Sequence, residues 1–440
     1  MRYESQFAAK TCTAAQAVSL IHDDDAVLVA GEPGALLEAL YQARDRFHGL
    51  RISSILGISG QAGANLYAKE AAGNLQVVST VLDPKAWAFW AQGNVDQAVV
   101  NFSECEDYVE NTCKPTVLLA HCAPADGEGW FSLGADAGCA SGALSRGVRV
   151  ILQVNRNMPY IPSADCRVHI NTVAALCEAD EDLPAGGVRD ARPREEDRII
   201  AGLTAERIPD GATFQLGDGP LPDLVGRNLV NHKDLGIHTD CFNGAMIELM
   251  QKGAVNNSKK ELYRNQSVGG YFRATAEELR FLHNNPDVVM KNLSWICDSR
   301  VIRQMEGFIS VNAGLAVDFR GQICSDSLGM RFSGGADGHL DFARGAKHSK
   351  GGISFIVMRS VIVGEDGART SAICPALPEG SLVSIPRFDV MYLVTEFGAA
   401  NLEVLSVKER VQTLISLAHP DFREQLTDAA KKHQYIEGGR

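Results

Sequence analysis

AVLVAGEPGALLEALY, residues 26–41, reads as a buried strand, a glycine–proline turn and an amphipathic helix. Ala26 to Ala30 is a short unbroken apolar run, as in a strand covered on both faces. Gly31-Glu32-Pro33-Gly34 breaks it, and Leu36, Leu37, Leu40 and Tyr41 then recur at helical spacing. Strand, tight turn and helix make the unit from which parallel α/β sheets are assembled. Upstream, Thr13 and Gln16 form a capping box for a helix carrying Ala14, Val18 and Ile21. Downstream the unit recurs: Thr116 to Ala120 runs into Asp126-Gly127-Glu128-Gly129, and Val148 to Val154 ends at Asn155.

Between Asp180 and Asp197 the chain turns charged, Gly/Pro-bearing and aperiodic, which marks a boundary between a domain at 1–186 and a second at 195–440. The second half restarts with a helix from Glu195, then a strand at Ala212 to Leu216 that enters Gly217-Asp218-Gly219-Pro220. Strand-rich stretches follow at 307–318, 352–363 and 390–394. Ser406 and Glu409 cap a helix bearing Val407, Val411, Leu414 and Ile415, and His419-Pro420 stops it.

The 440 residues allow two or three compact units, and 45% hydrophobic against 22% charged residues is an ordinary globular balance. Acidic side chains outnumber basic ones, 54 to 42, so the net charge of −12 repels nucleic acid and anionic bilayers. No apolar run approaches the ~20 residues that span a membrane. The start, with Arg2, Glu4 and Lys10, lacks the apolar core of a secretory signal, so a cytoplasmic address is expected. Eleven scattered cysteines without CxxC spacing read as reduced thiols.

Gly217-Asp218-Gly219 after a strand is half of a dinucleotide fingerprint, but Pro222 holds the third glycine position. A tight turn with a proline-started helix is the better reading, and a functional version adds that its free N–H groups can face an oxyanion or phosphate. Gly334, Gly335, Gly338 and Gly345 crowd a second stretch that contains His339, a density that suits backbone lying close to a ligand. His238 and Asp240, two apart on an extended segment, share a face. No further ligands at metal spacing accompany them, so no metal is expected. No G-x-S-x-G elbow is present, which removes the best support for a serine hydrolase.

Several phrases taken together resemble the family I CoA-transferases of the acetyl-CoA hydrolase/transferase group, the branch that includes 4-hydroxybutyrate CoA-transferases. They are Ile208-Pro209-Asp210-Gly211-Ala212-Thr213, His232-Lys233-Asp234-Leu235-Gly236-Ile237-His238-Thr239, Asn284-Asn285-Pro286, Asp341-Phe342 with Arg344-Gly345-Ala346, and Thr395-Glu396-Phe397-Gly398. Thinner matches in the first half include Gly31-Glu32-Pro33 and Val154-Asn155. The resemblance implies two tandem open α/β domains with the active site at their interface, in a homodimer or larger homo-oligomer. It implies acyl-CoA and a small carboxylic acid as substrates, with no permanently bound cofactor. In the family a glutamate after the Gly-Ile-His-Ser/Thr phrase attacks the thioester, giving a mixed anhydride and then an enzyme–CoA thioester. That chemistry needs an ionised carboxylate, donors for each oxyanion, and exclusion of water.

This chain departs from the pattern at three positions. Asp240 stands where the family has glutamate, with Glu248 as a possible replacement. Cys297 stands at an oxyanion-binding asparagine, and Val289 at a glutamate. The companion oxyanion donor, a backbone N–H, maps to Gly338. Gly217, Gly219, Gly335, Gly338 and His339 then contact CoA, and Gly31, Glu32 and His238 border the substrate pocket. The expected activity is CoA transfer through Asp240. The alternatives are acyl-CoA hydrolysis with Asp240 as general base, and a non-catalytic acyl-CoA-binding or assembly partner.

Overall fold

The computed structural model describes residues 3–82, 86–90, 92–134, 138–183, 192–332, 334, 338–364 and 366–437. The chain divides into two compact units, Met1–Gly186 with Ser267–Ile296, and Gly187–Gln266 with Cys297–Arg440.

In the first unit β1 (Ala26–Ala30), β2 (Leu50–Ser54), β3 (Leu75–Ser79), β4 (Val95–Gln97), β5 (Val117–Cys122), β6 (Arg149–Val154) and β7 (Val173–Glu178) form a parallel sheet ordered β4-β3-β2-β1-β5-β6-β7. Every residue of β1 and β5 is buried, the expected consequence of helices over both faces. α1 (Ala14–Val18) starts on the Thr13–Gln16 capping box, and α2 (Gly34–Gln42) follows β1. Leu36, Leu37 and Leu40 of α2 join Val27, Val29, Leu119 and Ile151 in one core. Strand order reverses between β1 and β5, the place where open α/β sheets leave a crevice at their carboxyl ends. The Ser267–Ile296 excursion adds a parallel pair, Ser267–Arg273 with Val288–Met290.

The second unit repeats the plan with α3 (Glu195–Ala205), β8 (Thr213–Leu216), α4 (Pro220–Arg227), β9 (Gly236–Asn243), α5 (Gly244–Gln251), β10 (Ile309–Ala313), α6 (His339–His348), β11 (Ile353–Val357), β12 (Tyr392–Thr395), β13 (Gly398–Asn401), α7 (Val407–Leu417) and α8 (Pro420–Lys432). Its strands run β9-β8-β10-β11-β12-β13, parallel except for the β12–β13 hairpin. The order reverses between β8 and β10. Ile356, Leu393, Val411, Leu414 and Leu426 share a core. His419-Pro420 ends α7 and also starts a helix, because the His419 ring accepts from the Asp421 N–H and Pro420 occupies the first helical position. Among the described residues no helix is long and apolar enough to cross a membrane.

Candidate functional site

All eight residues of β9 are buried, including His238, Thr239 and Asp240. Its pairing with β8, Thr213 to Gly236 and Phe214 to Ile237, carries Asp240 level with Gly217, the first residue beyond β8. The carboxylate therefore sits one strand away from the gap between β8 and β10, where the sheet of the second unit changes winding direction. His238 packs edge-on against Phe308, ring centroids 6.1 Å apart.

Two glycines make room around this point. A Cβ on Gly217 would lie 2.6 Å from Asn312 Oδ1. Asn312 is locked there, because its amide and that of Gln215 donate to each other at 3.1 and 3.0 Å, and Ser310 Oγ lies 2.9 Å from Asn312 Nδ2. A Cβ on Gly338 would lie 3.0 Å from Asp240 Oδ2 and 3.1 Å from Cys297 Sγ. Gly338 is the N-cap of α6, so the positive end of a ten-residue helix begins beside the carboxylate and the thiol. Gly219 caps α4 in the same way, with Pro220 next.

Asp240 is 4% exposed, and burial pushes its carboxyl up to about 6. The N–H groups of Cys241 and Asp240 pull the other way, while the charges of Asp218 and Asp341 add to the rise. An acid so placed holds its negative charge at neutral pH only against the loss of water, which is a common property of reacting groups. His339, also buried, is pushed down to about 4 by burial and is a neutral imidazole whose Nε2 has no hydrogen-bond partner among the described residues. Glu248 is placed differently: on α5, 39% exposed at the side chain, it pairs with Arg227 Nη1 at 2.5 Å.

A third element, which sequence reasoning missed, fixes the start of β9. Lys260 is fully buried, and its Nζ donates to the carbonyls of Ile237 and Gln266 at 2.6 and 2.7 Å. Asn257 Oδ1 accepts the Ile237 N–H at 3.0 Å. Two side chains thus satisfy both backbone groups of a residue three positions before Asp240. Burial pushes the Lys260 ammonium down to about 7. The only sequence signal was a lysine inside the polar run Asn256-Asn257-Ser258-Lys259-Lys260.

In the first unit Gly31 and Glu32 form the turn between β1 and α2. The Glu32 carboxylate accepts from Ser59 N–H and Oγ at 3.0 and 2.8 Å, and the Gly31 carbonyl lies 2.9 Å from His121 Nδ1. Val289 is half-buried on the Val288–Met290 strand, beside Val268. The structure thus gathers Asp240, Gly217, Cys297 and Gly338 in one unit, and Gly31 and Glu32 belong to the other. Gly335 lies outside the described residues. Among the described residues no group of three or more His, Cys, Asp or Glu is placed to hold a metal.

A cavity of about 370 Å3 opens at the carboxyl ends of β8, β10 and β11, lined by Pro220, Leu221, Gly314, Met358, Arg194 and Arg359. Arg359 is held there by Asp197 in a two-pronged pair at 2.7 and 2.8 Å. Its size falls in the range of small-molecule sites.

Residues 1–185 match the acetyl-CoA hydrolase/transferase N-terminal domain and residues 275–430 the C-terminal domain. The chain is 31% identical over 444 residues to succinyl-CoA:cyclohexane-1-carboxylate CoA transferase of Geobacter metallireducens, covering 99% of this chain and 98% of that one. It is 32% identical over 442 residues to 4-hydroxybutyrate coenzyme A transferase of Clostridium kluyveri, covering 98% and 100%. Among solved structures RipA from Yersinia pestis matches with a TM-score of 0.92 at 33% identity, over 99% of this chain and 100% of that one.

Proposed function

This chain belongs to the acetyl-CoA hydrolase/transferase family, and from that premise we propose that it moves CoA from a short-chain acyl-CoA to a free carboxylic acid through Asp240. The observation that carries the assignment to Asp240 is its setting: a carboxylate 4% exposed, raised to about 6, against a glycine whose missing side chain leaves its oxygen reachable. Glu248, already paired with Arg227, offers no such setting.

In the first step the Asp240 carboxylate attacks the thioester carbonyl, and collapse of the tetrahedral oxyanion breaks the carbon–sulfur bond. CoA thiolate leaves and an acyl–Asp240 anhydride remains. The thiolate then attacks the Asp240 carbonyl of the anhydride, releasing the first acid as its carboxylate and leaving an Asp240–CoA thioester. The acceptor acid repeats both steps in reverse. Burial serves this sequence twice, by raising the energy of the attacking anion and by keeping water from the anhydride. The backbone N–H of Gly338 and the N-terminus of α6 supply positive character for the oxyanion. Cys297 brings a weaker donor than an amide. The cavity beyond β8, β10 and β11 offers a largely apolar lining with Arg194 at its wall, Arg359 being already paired with Asp197.

One feature supports hydrolysis as a second reading. A carboxyl near 6 on an arm one methylene shorter than glutamate can take a proton from water at neutral pH. Mixing the chain with butyryl-CoA and digesting it separates the two readings. Transfer predicts the Asp240 peptide carrying CoA, whereas CoA release with that peptide unmodified establishes hydrolysis instead. Eleven scattered cysteines without CxxC spacing, read as reduced thiols, support a reducing, cytoplasmic setting. A homodimer or larger homo-oligomer without a resident cofactor completes the proposal.

A further inference from the structure

A cavity of about 390 Å3 in the second unit is lined by Arg320, Lys347, Arg387, Phe388, Leu405 and Arg410, with Val407 at its edge. Lys347 is in the last turn of α6 and Gly338 caps the first, so about 13 Å of helix separates this cavity from Asp240. In a chain of net charge −12, this cavity is lined by four cationic residues against one acidic residue, Glu403.

These cations are also poorly neutralised. Among the described residues Lys347 has a carboxylate partner, Glu403 at 3.4 Å, while Arg320, Arg387 and Arg410 have none within ion-pair distance. Arg410 is oriented by neutral groups, donating to the carbonyls of Arg320, Arg387 and Leu402 at 2.8, 3.1 and 2.7 Å. Burial, and then the charge of Arg387, push its guanidinium down. α7 begins at Val407, so the positive end of an eleven-residue helix is directed at the same edge. Phe388 is 70% exposed, and the Arg387 guanidinium lies 4.7 Å from its ring centre. An aromatic face, apolar walls and three guanidinium groups without a direct ion-pair partner, though Asp318 and the lining Glu403 are nearby, suit a ligand that is planar at one end and multiply anionic at the other.

We propose that this cavity binds a phosphorylated nucleoside, its phosphates against Arg320, Arg387 and Arg410 and its base against Phe388. Free ADP and the nucleotide end of a CoA molecule carry the same chemistry. The test is calorimetry on the full chain with ADP, CoA and inorganic pyrophosphate, repeated with Arg387→Glu and Phe388→Ala, both exposed positions. The expected result is ADP affinity about tenfold weaker in Arg387→Glu and about fivefold weaker in Phe388→Ala. Turnover of acyl-CoA without ADP stays unchanged in both variants, whether the reaction is transfer or hydrolysis. Two CoA per native chain and one per Arg387→Glu chain assigns the site to the nucleotide end of CoA; ADP binding alone assigns it to free nucleotide. Three results overturn the proposal: ADP binding that neither substitution weakens, pyrophosphate binding as tightly as ADP, or hydrogen exchange showing the Phe388 segment already shielded in the ligand-free enzyme by another subunit.

Discussion

Each unit contains a strand, a glycine turn and a helix at the point where its parallel sheet changes direction, and the two corners are finished differently. At the first, α2 has its leading N–H groups answered by the chain itself: Gly34 by Glu181 Oε1 at 3.0 Å, Ala35 and Leu36 by Gln153 Oε1 at 2.9 and 3.3 Å. The neighbouring His121, pushed down to about 4 by burial, is neutral. At the second corner a buried carboxylate is raised to about 6, chiefly by burial and in smaller part by the charges of Asp218 and Asp341. Topology chooses where a crevice forms. Charge left without a counterpart decides which crevice is reactive.

The largest effect tests that contrast directly. Asp240→Asn keeps the shape and removes the charge, and transfer falls by about 10^4. The folded carboxyl titrates near 6 and the unfolded one near 4. Between those values the folded chain holds a proton that the unfolded chain has lost, so stability falls as pH rises through this window and stays reduced above it. The deficit is about 2–3 kcal/mol. Asp240→Asn should therefore melt several degrees higher than the native chain at pH 7.5 and at the same temperature at pH 4. Equal melting at pH 7.5 means that the second corner carries no more electrostatic strain than the first. The native rate should also fall tenfold per pH unit below about 6.

Next is Gly338→Ala. The added carbon meets Asp240 Oδ2 at 3.0 Å and Cys297 Sγ at 3.1 Å, inside ordinary contact, so the carboxylate must move. The shift is a few tenths of an ångström, less than the ~1 Å that costs about 100-fold, so kcat should fall by roughly tenfold while the melting temperature changes little. Unchanged kcat, measured by steady-state thiol release with saturating acyl-CoA, would detach α6 from the reaction.

Much of this arrangement was legible in the sequence because it is local. The 26–41 stretch set the strand, turn and helix, the spacing of His238 and Asp240 put both on one buried strand, and Ser406 with Glu409 marked a helix start. What stayed hidden depends on partners far along the chain. Ser267–Ile296 packs with the first unit through pairings such as Asn284 with Tyr160, which no local pattern records. Gly217 reads as a turn glycine, yet Asn312 is what forbids a side chain there.

Lys260 illustrates the same point, since a lysine in a polar run reads as a solvated loop and this one is buried beside Gly236, which leaves room for its stem. Lys260→Met removes the donor to the carbonyls of Ile237 and Gln266, and the expected loss is about 2 kcal/mol. The pH dependence supplies a sharper test. The ammonium is lowered to about 7 when folded, so above that value the unfolded chain binds the extra proton and native stability rises with pH. The native chain's lead over Lys260→Met in thermal melts should be larger at pH 9 than at pH 6. A lead that shrinks would mean the charge, rather than its two hydrogen bonds, holds β9.

The smallest effects come from one substitution made at both corners. Gly34→Ala would set a Cβ 2.5 Å from Glu181 Oε2, but Glu181 is 31% exposed at its side chain and its carboxylate can swing into water. The helix gains alanine as it loses one cap, and the net change should stay within about 0.5 kcal/mol. Gly217→Ala drives its Cβ at Asn312 Oδ1, 2.6 Å away and locked in a buried amide pair with Gln215 that has no solvent to retreat into. Breaking that pair costs about 1–3 kcal/mol. Urea unfolding of the two variants side by side reads the difference. Equal midpoints would mean that the second corner yields as readily as the first, and a rigid setting for Asp240 could then not come from β8 and β10.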